Sequence, residues 1–154
     1  MDLPLVYHTD YSFVFPSAHR FPMDKFVRLH DHLRRSAVLH DGNLHQPQSA
    51  SLELLALAHD PGYVERFCSN ALEPAELRRM DLACHLAGGT HHAHHDFASG
   101  FCIFNDLAII SRYLLASGKV GRVLIFDCDV HQGDGTARIL EHDRDAITVS
   151  LHCE

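Results

Sequence analysis

Apolar positions along the chain fall into segments of two periods. Residues 3–8 (Leu-Pro-Leu-Val-Tyr-His) form a short apolar run that predicts a first strand. From Pro22, the residues Phe26, Leu29 and Leu33 recur at helical spacing and predict a helix over 22–33. Residues 41–50 are polar and predict a loop. Residues 52–58 are strongly apolar and stop at His59-Asp60-Pro61-Gly62, a turn signal. Pro61 then opens a predicted helix over 61–67. Residues 69–80 are polar without a period, and 82–86 are short and apolar, as in a buried strand, before Gly88-Gly89-Thr90 breaks the run. In the second half, 106–116 has helical spacing and ends at Ser117-Gly118. Residues 122–126 (RVLIF) are continuously apolar, as expected of a strand covered on both faces. Residues 136–141 predict a helix and 146–151 another strand. Strands alternating with helices imply βαβ units, a parallel sheet and an α/β fold.

Composition narrows the function classes. The 154 residues suffice for one domain, and the 46% hydrophobic and 21% charged content is that of a globular chain. A formal net charge of −7 gives no electrostatic footprint for nucleic acid. No apolar run has the length of a membrane span, and Met1-Asp2-Leu3-Pro4 does not resemble a signal peptide. Five cysteines without a CxxC pair read as reduced thiols, so a cytoplasmic location is expected. The unusual count is 15 histidines, several of them clustered at His91-His92 and His94-His95.

Chemistry concentrates at two places. Asp127-Cys128-Asp129-Val130-His131 directly follows the apolar run, at the carboxyl end of the expected strand, where ligands of open parallel sheets sit. Side chains alternate along an extended chain, so Asp127, Asp129 and His131 are expected to point the same way. Two carboxylates and an imidazole converging there call for a cation; a solvated loop with a capping aspartate is the plain alternative. Asp134, within Gly133-Asp134-Gly135-Thr136, reads either as a helix cap or as a partner for an imidazole. The second place is Gly88-Gly89-Thr90-His91-His92-Ala93, where adjacent histidines on a glycine-rich turn form a pair or an incidental surface loop. Each histidine of a working pair needs an acid to fix its tautomer, and Asp127 and Asp134 are available. Gly100-Phe101 puts an aromatic after a glycine, suited to a channel wall or to core packing.

Four motifs then stand in one order: Gly-Gly-Thr-His-His-Ala at 88–93, Ser-Gly-Phe-Cys-Ile-Phe-Asn-Asp at 99–106, Asp-Cys-Asp-Val-His-Gln-Gly-Asp-Gly-Thr at 127–136, and Val-Ser-Leu-His at 149–152. In that order they resemble the histone deacetylases and their bacterial relatives. The resemblance extends back to Tyr7-His8, to His59-Asp60-Pro61-Gly62-Tyr63 and to His19-Arg20-Phe21-Pro22-Met23, where the wording is closest to bacterial and class IV-like members. It implies a three-layer arginase/deacetylase-like α/β fold with a mostly parallel sheet, incomplete at the C-terminus. It also implies zinc held by Asp129 and His131, and His91 and His92 as the pair that moves protons. Asp127 and Asp134 are then the partners of His91 and His92, and Gly100 and Phe101 the wall of an acyl-lysine channel. A monovalent cation, with potassium as the candidate, would sit among Asp127, Asp129, His131, Ser150 and Leu151. The implied reaction is hydrolysis of an acetyl-amide, on acetylated lysine in a protein or peptide or on an acetylated small amine such as a polyamine.

Two departures from the family pattern stand out. The third zinc ligand, an aspartate, and the carbonyl-polarising tyrosine lie downstream of the Ser-Leu-His motif in the family, so the 154 residues read as the N-terminal part of a domain about twice as long. Relatives also carry an extra helical segment between the positions of Met80 and Asp81, which are joined directly here. That junction reads as an internal deletion, a gene-model error or a partial sequence. Two other readings remain beside the deacetylase: a non-catalytic remnant that binds a metal or a partner, and an arginase-like hydrolase. The latter would use two manganese ions and carry more aspartates around its Asp-x-Asp-x-His.

Overall fold

The computed structural model describes residues 3–12, 22, 24–76 and 88–153. The expected strand at 82–86, the 80–81 junction and most of the motif at 19–23 lie outside the described residues. The chain forms two compact units, Met1–Ser49 and Ala50–Glu154.

In the first unit, β1 (Leu5–Val6) and β2 (Leu44–His45) pair in parallel, Leu5 opposite Leu44 and Val6 opposite His45. β1 is shorter than the run at 3–8 suggests, and β2 falls where polarity predicts loop. The pairing is made by the backbone: Leu5 N–H donates to the Asn43 carbonyl at 2.8 Å and Tyr7 N–H to that of His45 at 3.1 Å. The buried Asn43 side chain holds the turn before β2, accepting from His40 N–H and donating to the Val38 carbonyl at 2.9 Å each. Such main-chain ties leave no hydrophobic period in the sequence. α1 (Lys25–Arg35) starts later than Pro22, whose carbonyl instead accepts from Lys25 N–H in a lead-in turn, and it outlasts Leu33 by one half-turn.

The second unit opens with the single turn α2 (Leu52–Leu55), capped by Ser51. α3 (Pro61–Cys68) begins where Asp60 accepts from Tyr63 N–H at 2.8 Å and Pro61 occupies the first turn, a position needing no N–H donor. α4 (Asp106–Ala116) is capped by Asn105, which accepts from Ala108 N–H, and stops at Ser117 before Gly118 at φ 65°. β3 (Val123–Asp127), α5 (Asp134–Leu140) and β4 (Ala146–Ser150) complete a βαβ unit. Its strands run parallel from Val123 opposite Ala146 to Asp127 opposite Ser150.

One cluster joins Ile125 and Ala146 of the strands, Ala108 and Ile109 of α4, Ile139 and Leu140 of α5, and Ala58. The opposite face is open: Leu124 is 63% exposed, Phe126 58% and Ile147 50%. The expectation that 122–126 is covered on both faces is therefore corrected. α4 and α5 share their core with Ile125, and the alternate side chains of the run point away from it.

Candidate active site

The carboxyl end of β3 carries the acidic run, but not in the extended form expected. The strand stops at Asp127 and the next residues turn. Asp127 Oδ1 accepts from Asp129 N–H at 2.9 Å, and Asp129 Oδ1 accepts from His131 N–H at 2.8 Å. Two successive Asx-type turns thus gather the side chains, where pleating alone was expected to align them. Asp129 Oδ1 and His131 Nδ1 lie 3.1 Å apart, both exposed. His91 Nε2 is 3.9 Å from the same Asp129 oxygen.

The two adjacent histidines each meet their own carboxylate. His91 Nδ1 is 2.5 Å from Asp127 Oδ2, and His92 Nδ1 is 2.7 Å from Asp134 Oδ1. A carboxylate only accepts, so Nδ1 donates in both pairs, and the lone pair of each neutral ring is left on Nε2. The rings lie 4.2 Å apart at 52°, and His92 meets the edge of His131 at 5.8 Å. Burial raises the pKa of Asp127, but the hydrogen bonds from His91 and Asp129 N–H outweigh it and leave the carboxyl below its ordinary value. Asp134 is likewise held low against burial by His92 and His94. Asp129 is lowered first by the His131 N–H.

The loop bearing the pair is fixed from three sides. Asp106, in the first turn of α4, accepts from Gly89 N–H and Thr90 N–H at 2.8 Å each and from the Thr90 hydroxyl at 2.7 Å. Thr136 N–H donates to the His91 carbonyl at 3.0 Å, and Asn105 Nδ2 to that of Ala93 at 3.1 Å. His59, almost wholly buried, accepts Asn105 N–H on Nε2 at 2.8 Å, and Nδ1 faces the His95 carbonyl at 3.3 Å. Ser99 and Cys102 exchange backbone hydrogen bonds around Gly100 and Phe101, at φ 55° and 65°. That turn seats Gly100 against His92, where an added Cβ would come within 2.5 Å of the imidazole Cδ2. Burial pushes the Cys102 thiol up to about 11, which removes it as a nucleophile.

A hollow of about 570 Å³ opens at the ends of β3 and β4, lined by Cys128, Asp129, Val130, Ser150, Leu151 and His152 among others. Ser150 Oγ accepts from Gly133 N–H at 3.3 Å, and Leu151 N–H donates to the Asp127 carbonyl at 2.9 Å. Of the five residues expected around a monovalent cation, Asp129, Ser150 and Leu151 line this hollow and Asp127 pairs with Ser150 across the strand ends, while His131 is not among its lining residues. Among the described residues, no group of three or more histidine, cysteine, aspartate or glutamate side chains is arranged to hold a metal.

Residues 68–154 match the family model described as the histone deacetylase domain, more than half of the chain. The chain belongs to the histone deacetylase family. It is 41% identical to an uncharacterized protein of Picosynechococcus, over all of this chain and 61% of that one. It is 52% identical over 69 residues to the acetoin utilization protein AcuC of Staphylococcus aureus, covering 45% of this chain and 18% of the relative. The Bacillus subtilis AcuC is 27% identical over 98% of this chain and 49% of its own length. Among solved structures, an HDAC homolog from Aquifex aeolicus superposes with a TM-score of 0.80 at 22% identity, covering 99% of this chain and 51% of that one. An HDAC homolog complexed with SAHA superposes at 0.78 and 21% identity. The fold is thus that of the deacetylase homologs, and the chain spans about half the length of those structures.

Of the two readings open for Asp134, the partner of an imidazole is the one the geometry supports, and His94 gains a partner. Asp134 does not cap α5: the cap is Gly133, without a side-chain bond, and Asp134 in the first turn serves histidines instead. His94, whose role was unassigned, places Nε2 3.2 Å from Asp134 Oδ2. Asn105, Asp106 and His59 lie inside quoted motifs but had no role; only their hydrogen-bond partners reveal one. No helix among the described residues is long and apolar enough to cross a membrane.

Proposed function

We propose that this chain carries the histidine half of a zinc-dependent deacetylase site and contributes the N-terminal part of the deacetylase domain. The observation that carries this reading is the pair of neighbouring dyads, His91–Asp127 and His92–Asp134, set beside Asp129 and His131.

The donor pair suits the metal. Two ligands at ~2.0–2.1 Å from a tetrahedral ion stand roughly 3.3 Å apart, close to the 3.1 Å between Asp129 Oδ1 and His131 Nδ1. Asp129 and His131 would hold zinc, with a further aspartate supplied from outside the described residues. When bound, zinc supplies Lewis-acid polarisation of the amide carbonyl and a more acidic water. The histidines supply proton transfer. An Nε2 lone pair accepts the proton of the attacking water, and the adjacent carboxylate stabilises the imidazolium that forms. The imidazolium then delivers a proton from Nε2 to the departing amine. Gly100 and Phe101 would line the approach of a thin acyl-amide chain. Asp127, Asp129, His131, Ser150 and Leu151 would hold potassium.

The substrate read from this site is an acetylated lysine of a protein or peptide, or an acetylated small amine; the SAHA complex of a structural neighbour supports an acyl-chain ligand. The His-His pair and Ser-Gly-Phe-Cys favour this reading over an arginase-like hydrolase. The alignment with the Picosynechococcus relative runs over 183 positions against 154 residues here, a difference of 29 that supports a segment of the relative having no counterpart within this chain. The test is zinc content and acetate release from an acetyl-lysine peptide by the full-length protein. Stoichiometric zinc with zinc-dependent acetate release is expected. Manganese-dependent ureohydrolase activity instead, or no metal bound at all, would overturn it.

A further inference from the structure

Asp134 is a shared carboxylate, and its second partner lies outside the pair just described. Oδ1 accepts from His92 Nδ1 at 2.7 Å; Oδ2 accepts from His94 Nε2 at 3.2 Å. The Asp134 side chain is nearly half exposed, whereas those of His92 and His94 are mostly covered. A half-exposed carboxylate with one partner can rotate about its Cβ–Cγ bond and exchange that partner for water. A second donor on the other oxygen removes this freedom.

His94 is itself held for the task. Its ring stacks on Phe97 at 4.3 Å and 14°, and its backbone N–H donates to the Phe97 carbonyl at 3.0 Å. Ala93, between the two histidines, is buried and anchored through its carbonyl by Asn105. The histidines on either side of Ala93 therefore turn to the same aspartate. On its other side His94 borders a separate hollow of about 390 Å³ with His95, Phe97, Arg138 and Glu141, away from the hollow beside Asp129.

We propose that His94 is a positioning residue: it clamps Oδ2 of Asp134 so that Oδ1 stays on His92 Nδ1, fixing the ring orientation and tautomer of His92. The inference rests on the deacetylase reading only for its effect on turnover; the clamp itself is a matter of hydrogen bonds. A bulky donor is not required, so an amide able to reach Oδ2 should serve in place of the imidazole.

The experiment compares wild type, His94→Ala and His94→Gln in the full-length protein. Long-range imidazole ¹⁵N spectra at one fixed pH report the His92 tautomer. In wild type and His94→Gln, His92 should be the Nδ1–H form; in His94→Ala it should average between the two tautomers. With acetyl-lysine peptide, His94→Ala should lose about tenfold in kcat, the lower end for such outer partners, with KM and bound zinc unchanged and His94→Gln restoring most of the loss. An unchanged His92 tautomer in His94→Ala overturns the clamp, and so does a Gln variant as impaired as Ala. Absent deacetylation in wild type would instead sink the proposed function, with the clamp still decided by the spectra.

Discussion

Asp129 differs from Asp127 and Asp134 in what surrounds its oxygens. Those two each hold a buried or half-buried imidazole, whereas Asp129 is exposed and shares one oxygen with two groups of His131. Under the proposed function it is the carboxylate that meets the zinc. Asp129→Asn is therefore expected to weaken zinc binding by at least about tenfold and to remove most activity, checked by metal analysis and peptide deacetylation. Equal zinc and turnover would refute the ligand assignment. His92→Ala should behave differently, costing ~10²–10⁴-fold in turnover with zinc retained; zinc lost with it would make His92 a ligand. Buried His59 gives an acid limit. Burial lowers its pKa to about 4 from an ordinary 6.5, so between those values the unfolded chain binds the extra proton and stability falls as pH falls. At 1.36 kcal/mol per pKa unit the loss is about 3 kcal/mol across that window. Urea unfolding of wild type should show this slope, and His59→Gln should flatten it; parallel curves would count against the assignment.

Among the elements, α5 has the tightest tolerance. A Cβ on Gly135 would collide with the Ala93 carbonyl oxygen and stand 2.7 Å from the His92 carbonyl carbon. Both are backbone, so no rotamer change relieves the clash. Gly135→Ala is expected to cost ~1–3 kcal/mol and to displace His92, seen as a lower melting temperature and reduced turnover. A neutral substitution would mean that the loop and helix slide freely. α3, α4, α5, β3 and β4 were legible in the sequence to within a residue or two. α4, α5, β3 and β4 each give apolar residues to one shared core, and Asp60, Pro61 and Gly118 mark ends by local chemistry. β2 was not legible, because its pairing is main-chain only. The His91–Asp127 and His92–Asp134 partnerships were legible through the family motifs, since spacing alone leaves several acids available. The Asx turns at 127–131 were misread as extended chain, because a strand end and a turn start carry the same residues. His94 was invisible as a clamp, since nothing local ties a histidine to an aspartate 40 positions on.

At the scale of the whole molecule, the open face of the βαβ unit and the two-donor zinc site of the proposed function lead to one expectation for residues 1–154 expressed alone. Leu124 and Ile147 are direct cross-strand partners, and both are largely exposed, with Phe126 beside them. Contiguous apolar surface on a two-stranded parallel sheet favours association with other chains. Under the proposed function the site also needs more groups than the described residues supply. Catalytic zinc takes three protein ligands and keeps one open position, and the described residues offer Asp129 and His131 as neighbouring donors. Loss of one donor to a developing oxyanion costs ~10²–10³-fold in comparable enzymes. Residues 1–154 should therefore aggregate, melt without a sharp transition and show no deacetylation with added zinc. Substituting Leu124→Glu together with Ile147→Lys puts an opposite-charge pair on the open face and should restore solubility while leaving activity absent. Light scattering, thermal melts and peptide assays separate the two causes. If residues 1–154 form a soluble, cooperatively melting monomer with zinc-dependent turnover, another side chain must complete the site. His152, bonded to Ser150 at 3.0 Å beside the same hollow, is then the first residue to replace.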